Sequence, residues 1–143
     1  MKRAGFLAFA LAATAACAQE RGAALFTQHC AVCHQPNGEG IPGFAPRLAG
    51  MLTDRAKKEG SRRYLAQLAV SGMMGPIVSN GEKFNDVMPP FSGLADEDIV
   101  AVVGHVLTGL NQVPAENNIT AEDVAVARKR ALSPNEVRRL REL

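Results

Sequence analysis

The chain has 143 residues, with 16 Lys+Arg against 14 Asp+Glu and a formal charge of +2, too small to argue for nucleic acid as a partner. Six Phe, one Tyr and no Trp make for a modest protein core. One domain of ordinary size fits this length.

The N-terminus reads as an export signal. Lys2 and Arg3 form a basic start, and Ala4 to Ala16 is an apolar, small-residue run that includes Phe6, Leu7, Phe9 and Leu11. The run is too short for a permanent membrane span but suits the apolar segment of a signal peptide. Ala16-Cys17-Ala18 fits a small-x-small cleavage site, which makes residues 1–18 the signal and Gln19 the new N-terminus. The expected location is the periplasm. A second reading makes Cys17 a lipidated first residue and the protein a membrane-anchored lipoprotein facing the periplasm. Thr14 then stands where Leu is usual, three residues before the cysteine. A third reading leaves the segment uncleaved as an anchor. Cleavage removes Lys2 and Arg3 and no acid, so the mature chain balances fourteen bases against fourteen acids.

The mature chain reads as helical. Ala23 to Thr27 predicts a short first helix, which leads into Cys30-Ala31-Val32-Cys33-His34. Residues 35–50 form a Gly/Pro-rich loop. Ser61 is positioned to cap a helix with the stripe Tyr64, Leu65, Leu68 and Ala69, ending at Gly72. Residues 73–90 read as turn-rich and irregular, with no alternating strand pattern. Ile99, Val102, Val103, Val106, Leu107 and Leu110 then recur at helical spacing, bracketed by Gly109 and Pro114. In the tail, Thr120/Asp123 and Ser133/Glu136 have capping-box spacing, the second with Pro134 at the first helical position. Two short helices follow from this. Their apolar residues, Val124, Val126, Val137 and Leu140, are few, so they are expected on the surface. The division is residues 19–113 as the main domain and 114–143 as a C-terminal helical extension.

The chemistry lies in residues 30–34. Cysteines three apart share one face of a helical turn, so both thiols can add to vinyl groups on one edge of a porphyrin. His34 then follows beneath the ring as proximal ligand to the iron. A Cys30–Cys33 disulfide is the plain alternative in an oxidising compartment. A thioredoxin-like site lacks its βαβ surroundings. A zinc site lacks a fourth ligand at zinc spacing, and His29 is badly placed to supply one.

With these features in order, the chain resembles the class I monohaem c-type cytochromes. The resemblance rests on Cys30 to His34, the loop Gly43-Phe44-Ala45-Pro46-Arg47-Leu48-Ala49-Gly50, the segment Met88-Pro89-Pro90-Phe91 with Leu94, and the last strong helix. Residues 81–91 are similar to small bacterial periplasmic cytochromes and to haem modules of respiratory dehydrogenases and oxidases. It covers about residues 20–112. It implies an all-α cytochrome c fold wrapped round one haem c bound covalently through Cys30 and Cys33, with the C-terminal pair of short helices added. Gly22 and Phe26 fall where the first and last core helices of that fold cross. Two departures stand out. His105 occupies a place where such proteins often have Tyr. Ala95 stands where Ser or Thr usually caps, which costs about 1 kcal/mol of helix stability unless Asp96 caps instead.

The candidate sixth ligands after the motif are Met51, Met73, Met74 and Met88, with His29 and His105 as nitrogen rivals. Met88 lies in an extended stretch before two prolines, where a rigid loop can hold its side chain, and the resemblance points to it too. A thioether prefers Fe(II), so it raises the potential and closes the iron to outside ligands. Met73 and Met74 are expected to pack or line the haem edge, and His29 to point away. The resemblance further implies that the Pro46 carbonyl accepts from His34, and that Leu48 and Phe91 wall the pocket. Arg47, Arg62 or Arg63 is a propionate partner, the sequence not choosing among them.

The function so implied is one-electron transfer, not enzymatic turnover, between respiratory or dehydrogenase partners that the sequence does not identify. The uneven distribution of bases, with Arg47, Arg55, Lys57, Lys58, Arg62 and Arg63 in one stretch and six more in residues 128–141, can steer docking to a charged redox partner. The alternative is a haem enzyme or a gas-binding, sensing cytochrome with a displaceable sixth ligand. No constellation of acid–base groups around the motif speaks for it.

Overall fold

The computed structural model describes residues 19–142. The export signal and Cys17 lie outside these residues. Helix α1 (19–29) breaks at Cys30 and resumes as α2 (Ala31–His34), with the Cys30 amide still bonded to the Phe26 carbonyl at 2.8 Å. α3 (Thr53–Lys57) and α4 (Ser61–Ser71) follow the glycine-rich loop, then four short strands, then α5 (Asp96–Gly104). α5 continues as one π-helical turn, His105–Gly109, and the chain ends in α6 (Ala121–Lys129) and α7 (Pro134–Arg141). None of the described helices is long and apolar enough to cross a membrane.

The crossing of α1 with α5 comes down to one missing side chain. A Cβ on Gly22 would sit 2.3 Å from the Ala101 carbonyl oxygen. Only glycine allows the backbones so close. One turn on, Phe26 is fully buried against His105, with ring centroids 5.4 Å apart.

α4 is the central helix. Tyr64, Leu65, Ala66, Ala69 and Val70 are all buried, a wider face than the stripe read from the sequence. Ser61 does not cap it. Gly60, in a left-handed conformation, precedes the helix, and Ser61 is its first residue, with its hydroxyl buried and without a partner among the described residues. Likewise Ala95 leaves α5 without a side-chain cap, and Asp96 does not replace it.

Residues 73–90, read as irregular, contain two antiparallel pairs. β1 (Met73–Met74) pairs with β4 (Val87–Met88), and β2 (Ile77–Ser79) with β3 (Glu82–Phe84), joined by a tight turn at Asn80-Gly81. Strands of two or three residues are too short to show alternation, so no period-two signal existed to be read. The fold remains predominantly helical.

Both tail helices form with their complete capping boxes. The expectation that they lie on the surface is corrected. Ile119, Val124, Ala127 and Val137 are at most 2% exposed and join α4 and α5 in one core. The apolar residues are few, but each is inward-facing, and Ala66 and Ala127 are small enough to let helices approach. Gln67, buried on α4, donates to the carbonyls of Ala127 and Arg130 at 3.3 and 3.0 Å, which answers orphan groups at the end of α6.

Candidate functional site

The site starts from the turn at residues 30–34. α2 ends at Gln35, whose positive φ of 63° reverses the chain. The loop then folds back tightly: Ile41 bridges Ala45, and a Cβ on Gly40 would lie 2.6 Å from the Ala45 oxygen. This returns Pro46 to His34, whose ring Nδ1 lies 2.8 Å from the Pro46 carbonyl oxygen. A carbonyl only accepts, so Nδ1 carries the proton and Nε2 keeps its lone pair. Burial pushes the His34 pKa below its ordinary value, and the hydrogen bond to Pro46 offsets only part of that. The ring is therefore a neutral imidazole of fixed tautomer, with Nε2 available as a donor to a metal.

Opposite this turn the strand pairs line an open-mouthed cavity. Cys30, Cys33, His34, Pro46, Met88 and Phe91 all line it. Leu48 does not: it is half-buried, where the loop has already turned toward the Gly50 amide's bond to the Leu110 carbonyl at 3.1 Å. His29, expected to point away, lines the mouth and stands edge-on to Phe91, with centroids 6.2 Å apart. Sequence reasoning missed Phe44, Ile77 and Phe84 in the wall. Phe84 is 5% exposed though it sits between Lys83 and Asn85. A lone apolar residue in a polar stretch was the signal available.

Two of the four candidate methionines, Met73 and Met88, reach the cavity. Met51 and Met74 are exposed and do not line it. Met73 does, but its sulfur already faces the Tyr64 hydroxyl at 3.9 Å. Met88 pairs across the ladder with Met73, and its carbonyl lies where a Cβ on Gly72 would meet it at 2.5 Å. The strand pair and this close approach fix the residue's backbone. His105 is packed at the helix crossing and is not on the cavity, nor are Arg47, Arg62 and Arg63. Cys30 and Cys33 are not joined to each other. As a free thiol Cys30 is pushed up to about 11, by burial first and by Cys33 second, so it is not a ready thiolate at neutral pH.

Comparison with known proteins agrees with this geometry. The family model described as Cytochrome c matches residues 19–109. The chain belongs to the cytochrome c family. It is 42% identical over 140 residues to a "Cytochrome c-552" of Thermus thermophilus, covering 96% of this chain and 93% of the relative. A second "Cytochrome c-552" of Thermus thermophilus is 42% identical over 122 residues, covering 83% of this chain and 92% of the relative. The first alignment runs well past residue 109, so the likeness takes in the tail.

As a cytochrome c, the chain carries haem c covalently through Cys30 and Cys33, and its activity is haem-based electron transfer. The residues fit that group. Both thiols, a buried neutral imidazole with a free Nε2 and a largely apolar wall meet in one cavity. The iron of a bound haem supplies a one-electron couple; the protein's part is to ligate it, exclude water and set its surroundings.

Proposed function

We propose that this cytochrome is an exported, periplasmic one-electron carrier with His34 and Met88 as axial ligands and no catalytic turnover of its own. The observation that carries the reading is the presence of His34 and Met88 on one cavity, each held by its own backbone anchor. A sulfur and an imidazole on the iron leave no position open to substrate and favour the reduced state. The export signal supports the periplasm. Partners are redox proteins that dock at the cavity mouth, where Val32, Phe44 and Val87 are 76%, 46% and 64% exposed. An apolar rim at a cofactor edge suits brief contact with a partner of similar surface.

The test is Met88→Ala against Met73→Ala in the holo-protein. Met88→Ala should abolish the far-red charge-transfer band of ferric Met–His haem, lower the midpoint potential and let exogenous ligands bind; Met73→Ala should keep the band. Persistence of the band in Met88→Ala would assign the ligand elsewhere. Ready ligand binding by the unaltered protein would favour the gas-binding alternative.

A further inference from the structure

A second concavity adjoins the haem cavity. The two share Ile77, Phe84 and Asp86, so they meet at the β2–β3 hairpin, while Cys30, Cys33 and His34 line only the first. Arg55, Lys83, Arg138 and Arg141 line the second, against the carboxylates of Asp86 and Glu142. Cations exceed anions there by two.

Arg138 stands at the junction. It packs over Gly75, a residue of the haem cavity, so closely that a Cβ there would lie 3.1 Å from Arg138 Nε. That Nε is buried and has no acceptor among the described residues. The guanidinium's contact with Glu142 is long, 3.3 Å. Its neighbours are held: Arg141 donates to the Val78 carbonyl at 3.2 Å, and Arg55 lies 5.2 Å from the Tyr64 ring centroid and donates to the Arg141 carbonyl. A fixed guanidinium with an unanswered N–H is prepared for a carboxylate.

Haem has two propionate carboxylates on the edge away from its vinyl groups. Thioether bonds at Cys30 and Cys33 would hold the vinyl edge, which would leave the propionate edge for the part of the cavity away from them. The geometry points to Arg138 and Arg141 as the cations that pair the propionates, with Arg55 and Lys83 completing the positive field. Arg138 and Arg141 take the place of Arg47, Arg62 and Arg63, the candidates read from the sequence. Arg47 donates to the Ala49 carbonyl at 2.9 Å, Arg62 pairs with Asp123 at 2.6 Å, and none of the three lines either space. The tail, outside the residues matched by the family model, thereby reaches the cofactor's electrostatics. Positive charge beside the haem favours the reduced iron, which carries one charge less.

The experiment uses the holo-protein and reads the midpoint potential and the propionate bending band in the resonance Raman spectrum. Arg138→Gln and Arg141→Gln should each shift that band and lower the reduced-to-oxidised ratio at fixed ambient potential, on the order of tenfold. Arg138→Lys should recover most of the potential by restoring the charge. Arg139→Gln, on the same helix but exposed and on neither cavity, should leave the Raman band unmoved. The far-red band should persist throughout, which separates this inference from the assignment of Met88. An unshifted propionate band in both Arg138→Gln and Arg141→Gln would overturn it, as would a shift produced instead by Arg47→Gln or Arg63→Gln. If inorganic phosphate at constant ionic strength moves the wild-type potential while the propionate band ignores Arg138→Gln, the groove is an open anion site and the inference fails.

Discussion

Arg128 and Asp96 form an ion pair 2.7 Å long across 32 residues of sequence, and it ties the tail to the start of α5. The same guanidinium donates to the carbonyls of Ser92 and Leu94, just after Met88-Pro89-Pro90-Phe91. One side chain on α6 thus braces the segment that leaves the haem cavity. It also takes up the carboxylate that would otherwise have been free to cap α5.

Arg128→Ala should therefore destabilise the protein by about 2 kcal/mol, since charge-assisted bonds to two carbonyls are lost along with a partly exposed pair. Denaturant unfolding of the holo-protein checks this. A loss no greater than that of Asp96→Asn would assign the whole effect to the ion pair and none to the carbonyls.

Truncation after Val113 should strongly destabilise the whole domain, because Ile119, Val124, Ala127 and Val137 complete the core around α4. Val124→Ala and Val137→Ala should each cost about 2 kcal/mol, while Val126→Ala, on the exposed face, should cost little. Equal melting temperatures for the full and truncated chains would place the tail outside the cooperative unit.

Gly22→Ala should force α1 and α5 apart, with a penalty of about 3 kcal/mol. Gly93→Ala provides the control, since a Cβ there meets nothing within 4 Å and needs no left-handed backbone. Comparable melting temperatures for the two variants would show that the crossing has room to relax.

His105 makes stability fall on the acid side. Burial lowers its folded pKa from the ordinary 6.5, and its Nδ1 has no partner among the described residues. The unfolded chain then binds more protons than the folded one below 6.5, so stability is complete above that pH and declines as pH drops through the folded value. His105→Tyr should flatten the melting temperature between pH 7 and about 5. An unchanged slope would exclude His105 as a source of acid sensitivity.

The residues that do the chemistry were legible one by one. Cys30, Cys33 and His34 are joined by local spacing, and local spacing survives in sequence. The helices of residues 99–110, 121–129 and 134–141 were legible as well, because periodicity and capping boxes are also local. Gly22 and Phe26 could be assigned to the helix crossing only by resemblance, and the 2.3 Å approach that requires glycine is seen only once α5 is in place.

Tertiary structure decided the rest, for the reason that burial and pairing are properties of two segments at once. Val124 and Val137 looked too few for a core until α4 supplied the opposite face. Met88 was already favoured over Met73 by its place before two prolines; only the fold shows that the Tyr64 hydroxyl approaches the Met73 sulfur and that the β1–β4 ladder holds the two residues opposite each other. Arg62 was a propionate candidate in the sequence and Arg138 was not; the fold pairs the first with Asp123 and packs the second over Gly75 beside the cavity. The sequence by itself determined that a haem is bound through Cys30 and Cys33, and it singled out His34 as the proposed proximal ligand. The charges and packing that surround the haem depend on contacts between residues up to 86 positions apart, and no local pattern encodes those.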